Sequence, residues 1–287
     1  MSKQVTAPAV RARKVRNGSD PLVMLTAYDA PGARMVDEAG ADIILVGDSL
    51  AMVVLGYDDT LQVTIDDMAH HVGAVARARP QALVVGDLPW MSYHVSIEDT
   101  VRNAARLVRA GAQAVKLEGG RKRVPMVEAI IEAEIPVMGH LGLTPQSVHA
   151  MGGFRVQAKE RGAALALVDE AHALEEAGCF AIVLEGVPSE VASLVTDAVG
   201  VPTIGIGAGP ACDGQVLVFH DVLGIEERIT PKFVRRYGAF KADAVNALAS
   251  FAADVRTGRF PSASESYHLA DDVAEALGLY GSGSKTA

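Results

Sequence analysis

Six short apolar runs punctuate this chain, and five of them stop at an ionisable residue. The six are IILVGDS (Ile43–Ser49), ALVVGDLP (Ala82–Pro89), AVKLEGG (Ala114–Gly120), PVMGHLGLTPQS (Pro136–Ser147), FAIVLEGVP (Phe180–Pro188) and PTIGIGAG (Pro202–Gly209). A buried strand needs the apolar run. It does not need Asp48, Asp87, Glu118, His140 or Glu185 where the run stops, because a charge buried without a partner is costly. Their recurrence at the same end of successive strands predicts that they converge on one site.

The runs alternate with helix-like segments from about residue 22 to residue 224. LVMLTAYD (Leu22–Asp29) precedes a helical pattern over Ala30–Ala41. Thr64 reads as the N-cap of a helix whose first turn carries Asp66 and Asp67. Ser96 caps the next helix, and Gly111 stands just past its end. Gln215–Ile225 reads as an eighth strand, and Pro231–Gly258 as one or two closing helices. Eight strands alternating with helices fit a (β/α)8 TIM barrel or an open doubly wound sheet. An open sheet gathers its ligand residues near one switch point. Here they are spread over many strand ends, which favours the barrel. No composition break splits the chain. The expected organisation is a basic N-terminal arm (1–20), one barrel with closing helices (21–262) and a C-terminal extension (263–287). The Gly/Ser-rich end, Gly278–Ala287, reads as disordered.

Composition narrows the function classes. Apolar residues make up 49% and aromatics only 5%, which suits close-packed α/β layers. A formal charge of −9 argues against a general nucleic-acid binder. Cys179 and Cys212 have no metal-like spacing and point to a reducing compartment, hence a cytoplasmic protein. No apolar run approaches the roughly 18 residues of a membrane helix. The N-terminus lacks the apolar core of a signal peptide. It carries Lys3, Arg11, Arg13, Lys14 and Arg16 before its first acid, Asp20. It reads as a flexible arm or a helix docked on the body, with a transit peptide as the alternative.

Asp48, Asp87 and Glu118 offer hard oxygen ligands from three successive strand ends, a set that suits Mg2+ better than Zn2+. The bland alternative is that they cap helices or anchor loops. Lys116 lies two residues before Glu118 and so shares its face of the strand. It can bind a substrate carboxylate, stabilise an enolate oxygen, form a Schiff base or simply neutralise the acids. Glu185 has apolar flanks and no basic neighbour in sequence. Such surroundings raise a carboxyl pKa and suit a general base; pairing with a distant arginine is the structural alternative. His140 stands at the fifth strand end. Ser49 can hold a carboxylate or cap a turn. GIGAGP (Gly205–Pro210) lacks the full spacing of a dinucleotide fingerprint.

Taken together, these motifs resemble the ketopantoate hydroxymethyltransferase family. The resemblance is carried by TAYDAPGARMVDEAGADIILVGDSLAMVVLGYDDTLQVT, DLPWMSY, AGAQAVKLEGG, PVMGHLGLTPQSVHAMGGFRVQ, VLEGVP, IGIGAG with CDGQVLVFHDVLG, PKFVRRY and FPSASESYH. They run in family order from Thr26 to His268, and the combination of VGDS, KLEGG and GHLGLTPQS is specific. Ala51, Asp59 and Gln62 depart from the family's usual Gly, Ser and Pro in the loop after the second strand. The resemblance implies a (β/α)8 barrel of the phosphoenolpyruvate/pyruvate type and a role in pantothenate biosynthesis. It implies hydroxymethyl transfer from 5,10-methylenetetrahydrofolate to 3-methyl-2-oxobutanoate, giving 2-dehydropantoate through a Mg2+-stabilised enolate. By the same resemblance, Asp48, Asp87 and Glu118 form the Mg2+ site, the first two directly. Asp48, Ser49, Asp87, Lys116 and His140 meet the keto acid, and Glu185 accepts the proton. A cytoplasmic homodecamer without nucleic-acid or membrane partners is implied as well. The rival within enzymes is a Mg2+-dependent lyase or mutase of a related α-keto acid that needs no folate. A binding protein on a decayed barrel is the rival outside enzymes, and the intact acids argue against it.

Overall fold

The computed structural model describes residues 4–228 and 231–279, and the chain divides into two compact units, 1–238 and 239–287. The division falls inside the 21–262 stretch read from the sequence as one barrel with closing helices. The expected disordered tail lies, from residue 280 onward, outside the described residues.

In the first unit the apolar runs form eight parallel strands. They are β1 (Leu22–Thr26), β2 (Ile43–Val46), β3 (Leu83–Asp87), β4 (Ala114–Glu118), β5 (Val137–Gly142), β6 (Ala181–Glu185), β7 (Thr203–Ile206) and β8 (Gly214–Leu217). Each pairs with its neighbour in sequence, and β8 returns to pair with β1, so the barrel closes. The strands have two apolar faces, as a sheet covered on both sides requires. Ile44, Val84, Val115 and Ile182 pack outward among helix residues such as Val72, Leu107, Val127 and Leu174. Leu45, Val85, Ala114, Met138 and Val183 fill the barrel itself. With a side-chain period of two, the inward parity continues from Val85 to Asp87 and from Ala114 to Lys116 and Glu118. It likewise runs from Met138 to His140 and from Val183 to Glu185. The same alternation that builds the core therefore aims these polar groups into the mouth.

The first helices are α1 (Ala7–Arg11), α2 (Ala30–Glu38), α3 (Leu50–Val53), α4 (Ile65–Ala76) and α5 (Ile97–Ala110). They are followed by α6 (Val124–Glu132), α7 (Val148–Met151), α8 (Arg161–Glu176), α9 (Ser189–Ala198) and α10 (Phe219–Leu223). Thr64 caps α4 in a reciprocal box with Asp67, and the Ser96 side chain accepts from Asp99 N–H at the start of α5. Asp29 caps α2 rather than ending β1. Each such cap is worth about 1 kcal/mol.

Two sequence readings are refined. The eighth strand stops at Leu217 instead of running to Ile225. Phe219 N–H turns to the Thr26 hydroxyl, and the chain enters α10, which Gly224 ends at φ +67°. Within the described part of the basic arm, α1 docks on the body: its Ala7 and Val10 are buried against the residues that fill the barrel, at its N-terminal end.

The second unit holds α11 (Phe240–Arg256) and α12 (Asp271–Ala276). Arg259 pairs with Asp254 at 2.8 Å, and Phe251 meets Phe260 edge to face at 5.2 Å between centroids. Among the described residues no helix is long and apolar enough to cross a membrane.

Candidate active site

Strand register brings the expected residues together at the C-terminal end of the barrel. Asp87 lies opposite Lys116, Glu118 opposite His140, and Gly142 opposite Glu185. Gly142 has φ +91°, and a Cβ there would stand 2.3 Å from the Glu185 carbonyl oxygen. Only glycine permits that approach, which seats β6 and Glu185 beside His140.

Asp48, Asp87, Lys116, Glu118 and His140 are all at most 5% exposed. Lys116 Nζ lies 2.8 Å from Asp87 Oδ2 and 4.0 Å from Glu118 Oε1. Asp87 Oδ2 also accepts from Asp48 N–H at 3.3 Å. The His140 ring bridges two carboxylates at ion-pair distance. Nδ1 is 3.3 Å from Glu118 Oε1, and Nε2 is 3.3 Å from Glu185 Oε2. Lys116 Nζ is equally close to Nδ1, at 3.3 Å. The apolar setting expected for Glu185 is thus replaced by an imidazole, contributed from 45 residues earlier in the chain. Ser49 stands at the edge of the cluster. Its hydroxyl does not cap α3 but lies 2.9 Å from the Tyr28 hydroxyl.

Four carboxylates face two basic groups here, and their proton affinities show the imbalance. Burial, then the charges of Asp87 and Glu118, hold the Asp48 carboxyl well above its usual range. Burial also raises Asp87 against the pull of Lys116. Burial would raise Glu118, but His140, Lys116 and the Gln146 N–H outweigh it and lower its pKa. Burial would discharge Lys116; Asp87, Glu118 and Asp48 overcome this and keep it an ammonium ion. A Schiff-base lysine needs the neutral amine, so the surroundings of Lys116 speak against that role. Burial and Lys116 push His140 down, yet Glu118 and Glu185 lift it to about 9.

The donor set suits a divalent cation in one respect and departs from expectation in another. Asp87 Oδ1 and Glu118 Oε1 are buried and accept no hydrogen bond among the described residues. Buried carboxylate oxygens left open beside further acids match the all-oxygen, charge-demanding ligation of Mg2+, which uses one or two carboxylates and keeps several waters. Among the described residues, however, no three His, Cys, Asp or Glu side chains close on a single point. Asp48 and Asp87 stand together, whereas Glu118 turns toward His140 and the loop after β5.

Sequence reasoning missed two residues. Gln146, in that loop, donates through Nε2 to Asp48 Oδ2 at 2.9 Å and to the Leu88 carbonyl at 3.0 Å. Its backbone N–H donates to Glu118 Oε2 at 3.0 Å. Tyr93, in the loop after β3, donates to Gln146 Oε1 at 2.6 Å. Both lie in quoted motifs, GHLGLTPQS and DLPWMSY, and both are polar residues in Pro-containing loops after apolar runs that stop at an ionisable residue. That was the available signal.

The arrangement resembles solved barrels at the level of fold. A phosphonopyruvate hydrolase in complex with oxalate and Mg2+ superposes with a TM-score of 0.58, covering 95% of this chain and 94% of its own at 16% identity. A 2,3-dimethylmalate lyase of the PEP mutase/isocitrate lyase superfamily gives 0.55, covering 96% and 98% at 18% identity. Sequence relatives are much nearer. The 3-methyl-2-oxobutanoate hydroxymethyltransferase 2 of Bradyrhizobium diazoefficiens is 53% identical over 99% of this chain and 97% of its own. The 3-methyl-2-oxobutanoate hydroxymethyltransferase of Ignicoccus hospitalis is 59% identical over 87% and 94%. The sequence model described as ketopantoate hydroxymethyltransferase matches residues 4–263. With that match spanning the barrel and every strand-end acid, the chain is an enzyme of the ketopantoate hydroxymethyltransferase family.

Proposed function

We propose that the enzyme transfers a hydroxymethyl group from 5,10-methylenetetrahydrofolate to 3-methyl-2-oxobutanoate, giving 2-dehydropantoate, with Mg2+ held by Asp48 and Asp87 directly and Glu118 completing the acidic set. The observation that carries this reading is the pair of open, buried carboxylate oxygens on Asp87 and Glu118 beside a charged Lys116, with Glu185 across the His140 ring. When bound, the cation supplies Lewis acidity to the keto and carboxylate oxygens of an α-keto acid, which acidifies the neighbouring C–H. Lys116, fixed by Asp87, places a full positive charge where substrate oxygens gain negative charge. Ser49, steadied by the Tyr28 hydroxyl, offers a donor to the substrate carboxylate. Glu185 is the least buried of the four acids and takes the C3 proton. His140 sits against it, with Nε2 3.3 Å from Glu185 Oε2, and orients it for that step. The C3 carbon then bonds to the folate-borne methylene carbon, that carbon's bond to folate nitrogen breaks, and water supplies the hydroxyl oxygen of the product. The same reading carries a cytoplasmic homodecamer.

The test separates proton removal from transfer. Purified enzyme with Mg2+ and keto acid, but no folate, is placed in deuterated water, and loss of the C3 hydrogen is followed by NMR. Glu185→Gln is expected to bind Mg2+ yet slow exchange by about 10^2- to 10^4-fold. Wild-type exchange in that variant would move the base elsewhere. Product formation from the keto acid without methylenetetrahydrofolate would instead favour a lyase or mutase.

A further inference from the structure

We infer that Gln146 is a positioning residue for the acidic site: together with Tyr93 it forms a buried hydrogen-bond frame that fixes one oxygen of Asp48 and one of Glu118 and so sets the direction in which each carboxylate faces the site. The inference rests on the reading of these carboxylates as part of a divalent-cation site.

The frame is determined by its own proton directions. Glu118 N–H donates to the Tyr93 hydroxyl at 3.2 Å, so the hydroxyl oxygen is an acceptor there. Its own proton therefore goes to Gln146 Oε1, at 2.6 Å. The Gln146 carboxamide is thereby oriented, since its NH2 is left to face Asp48 Oδ2 and the Leu88 carbonyl. Both are acceptors, so the flipped amide would oppose oxygen to oxygen at two points. The Gln146 backbone N–H closes the frame on Glu118 Oε2. Tyr93 is 1% exposed and Gln146 4%, so water does not compete for these bonds. Three loops, those after β2, β3 and β5, are tied through one side chain.

The pattern of bonds made and not made gives the frame its meaning. Asp48 Oδ2 and Glu118 Oε2 are held, while Glu118 Oε1 and Asp87 Oδ1 accept no hydrogen bond among the described residues. A carboxylate pinned by one oxygen presents the other in a set direction. An amide is the suitable tie because it donates to Asp48 and accepts from Tyr93 without adding charge to a site already crowded with acids. A carboxylate in its place would repel Asp48, and a hydroxyl would reach only one partner. Groups that orient ligating carboxylates typically contribute 10- to 100-fold in metal affinity.

The experiment titrates Mn2+, an EPR-visible probe, into the full-length metal-free protein. Asp48→Ala is the control for the site: if it binds Mn2+ as wild type does, the cation site is misassigned and the frame has nothing to position. With that control passed, Gln146→Met, which keeps the volume but loses both polar ends, is expected to bind Mn2+ about 10- to 100-fold more weakly. Its turnover should recover toward wild type at saturating Mg2+, because the reacting groups are intact. Tyr93→Phe removes two bonds of the same frame, the one to Gln146 Oε1 and the one from Glu118 N–H, and should weaken binding about 2- to 10-fold. Because the two residues share the Tyr93–Gln146 bond, the double variant should lose less than the sum of the two single losses. A lowered melting temperature with unchanged Mn2+ affinity in Gln146→Met would reduce the residue to a structural tie and overturn the inference. Should Gln146→Met fail to fold, unchanged affinity in Tyr93→Phe overturns it equally.

Discussion

The barrel buries a lysine against an aspartate at each of its ends, and the two sites obey different rules. Toward the N-terminal end, Lys14 is 1% exposed and meets three acceptors: Asp213 Oδ2 at 2.7 Å, the Thr196 carbonyl at 2.7 Å and the Val201 carbonyl at 3.1 Å. Those match the three N–H bonds of an ammonium ion. Asp213 is equally complete, accepting from Val15 N–H on Oδ1 and from Thr203 N–H and hydroxyl on Oδ2. At the mouth, Lys116 has one short partner, Asp87, and around it lie carboxylate oxygens that accept no hydrogen bond among the described residues and an imidazole whose Nε2 makes none. A buried charge surrounded by matched partners is structure. One left short of partners is held ready for something that arrives later.

The contrast breaks most visibly if Lys14 is cut. Lys14→Met leaves Asp213 buried and unpaired, at a cost of about 3–5 kcal/mol. Urea unfolding measures it, and turnover per folded molecule should not change. A variant with normal stability and reduced turnover would show that the two ends are not separable. The mirror substitution is Lys116→Met. The barrel should still fold, because Asp87, already raised in pKa, takes up a proton in place of the lost cation. Turnover should fall by about 10^2- to 10^3-fold, the usual consequence of losing one charge-stabilising group. Wild-type kcat in Lys116→Met would remove the lysine from the reaction.

The difference between the ends also explains what could be read in the chain. The strand-end acids were legible because each terminates its own apolar run, and the period of two carries Lys116 and Glu118 to one side. The barrel followed from eight alternations. Lys14 and Asp213 were not legible as a pair: 199 residues separate them, and neither sits in a pattern that names the other. Gln146 was hidden for the same reason, since its partner Asp48 lies 98 residues away. The setting of Glu185 was misread because sequence flanks describe only its own strand, while a barrel places β5, and with it His140, alongside. The eighth strand was drawn too long because apolar content continues past Leu217. The hydroxyl of Thr26, from the opposite end of the chain, is what turns it.

The mouth should also respond to pH through His140, and the sign follows from its two states. Its ordinary value is 6.5, and in the folded protein Glu118 and Glu185, against burial and Lys116, raise it to about 9. The folded state therefore binds this proton more tightly than the unfolded chain does. The resulting stabilisation is fully present below pH 6.5 and is lost as pH rises through 9. A shift of that size corresponds to about 3 kcal/mol. Asp48 and Asp87, also raised, act in the same direction wherever they titrate. The histidine is isolated by comparing urea unfolding of metal-free wild type with His140→Asn from pH 6 to pH 9.5. The wild type should lose stability across this window and the variant should be markedly flatter. Equal slopes would mean that Glu118 and Glu185 do not hold the ring charged. The orientation of Glu185 would then need another cause, and the distinction between a satisfied and an unsatisfied end of the barrel would rest on hydrogen-bond geometry alone.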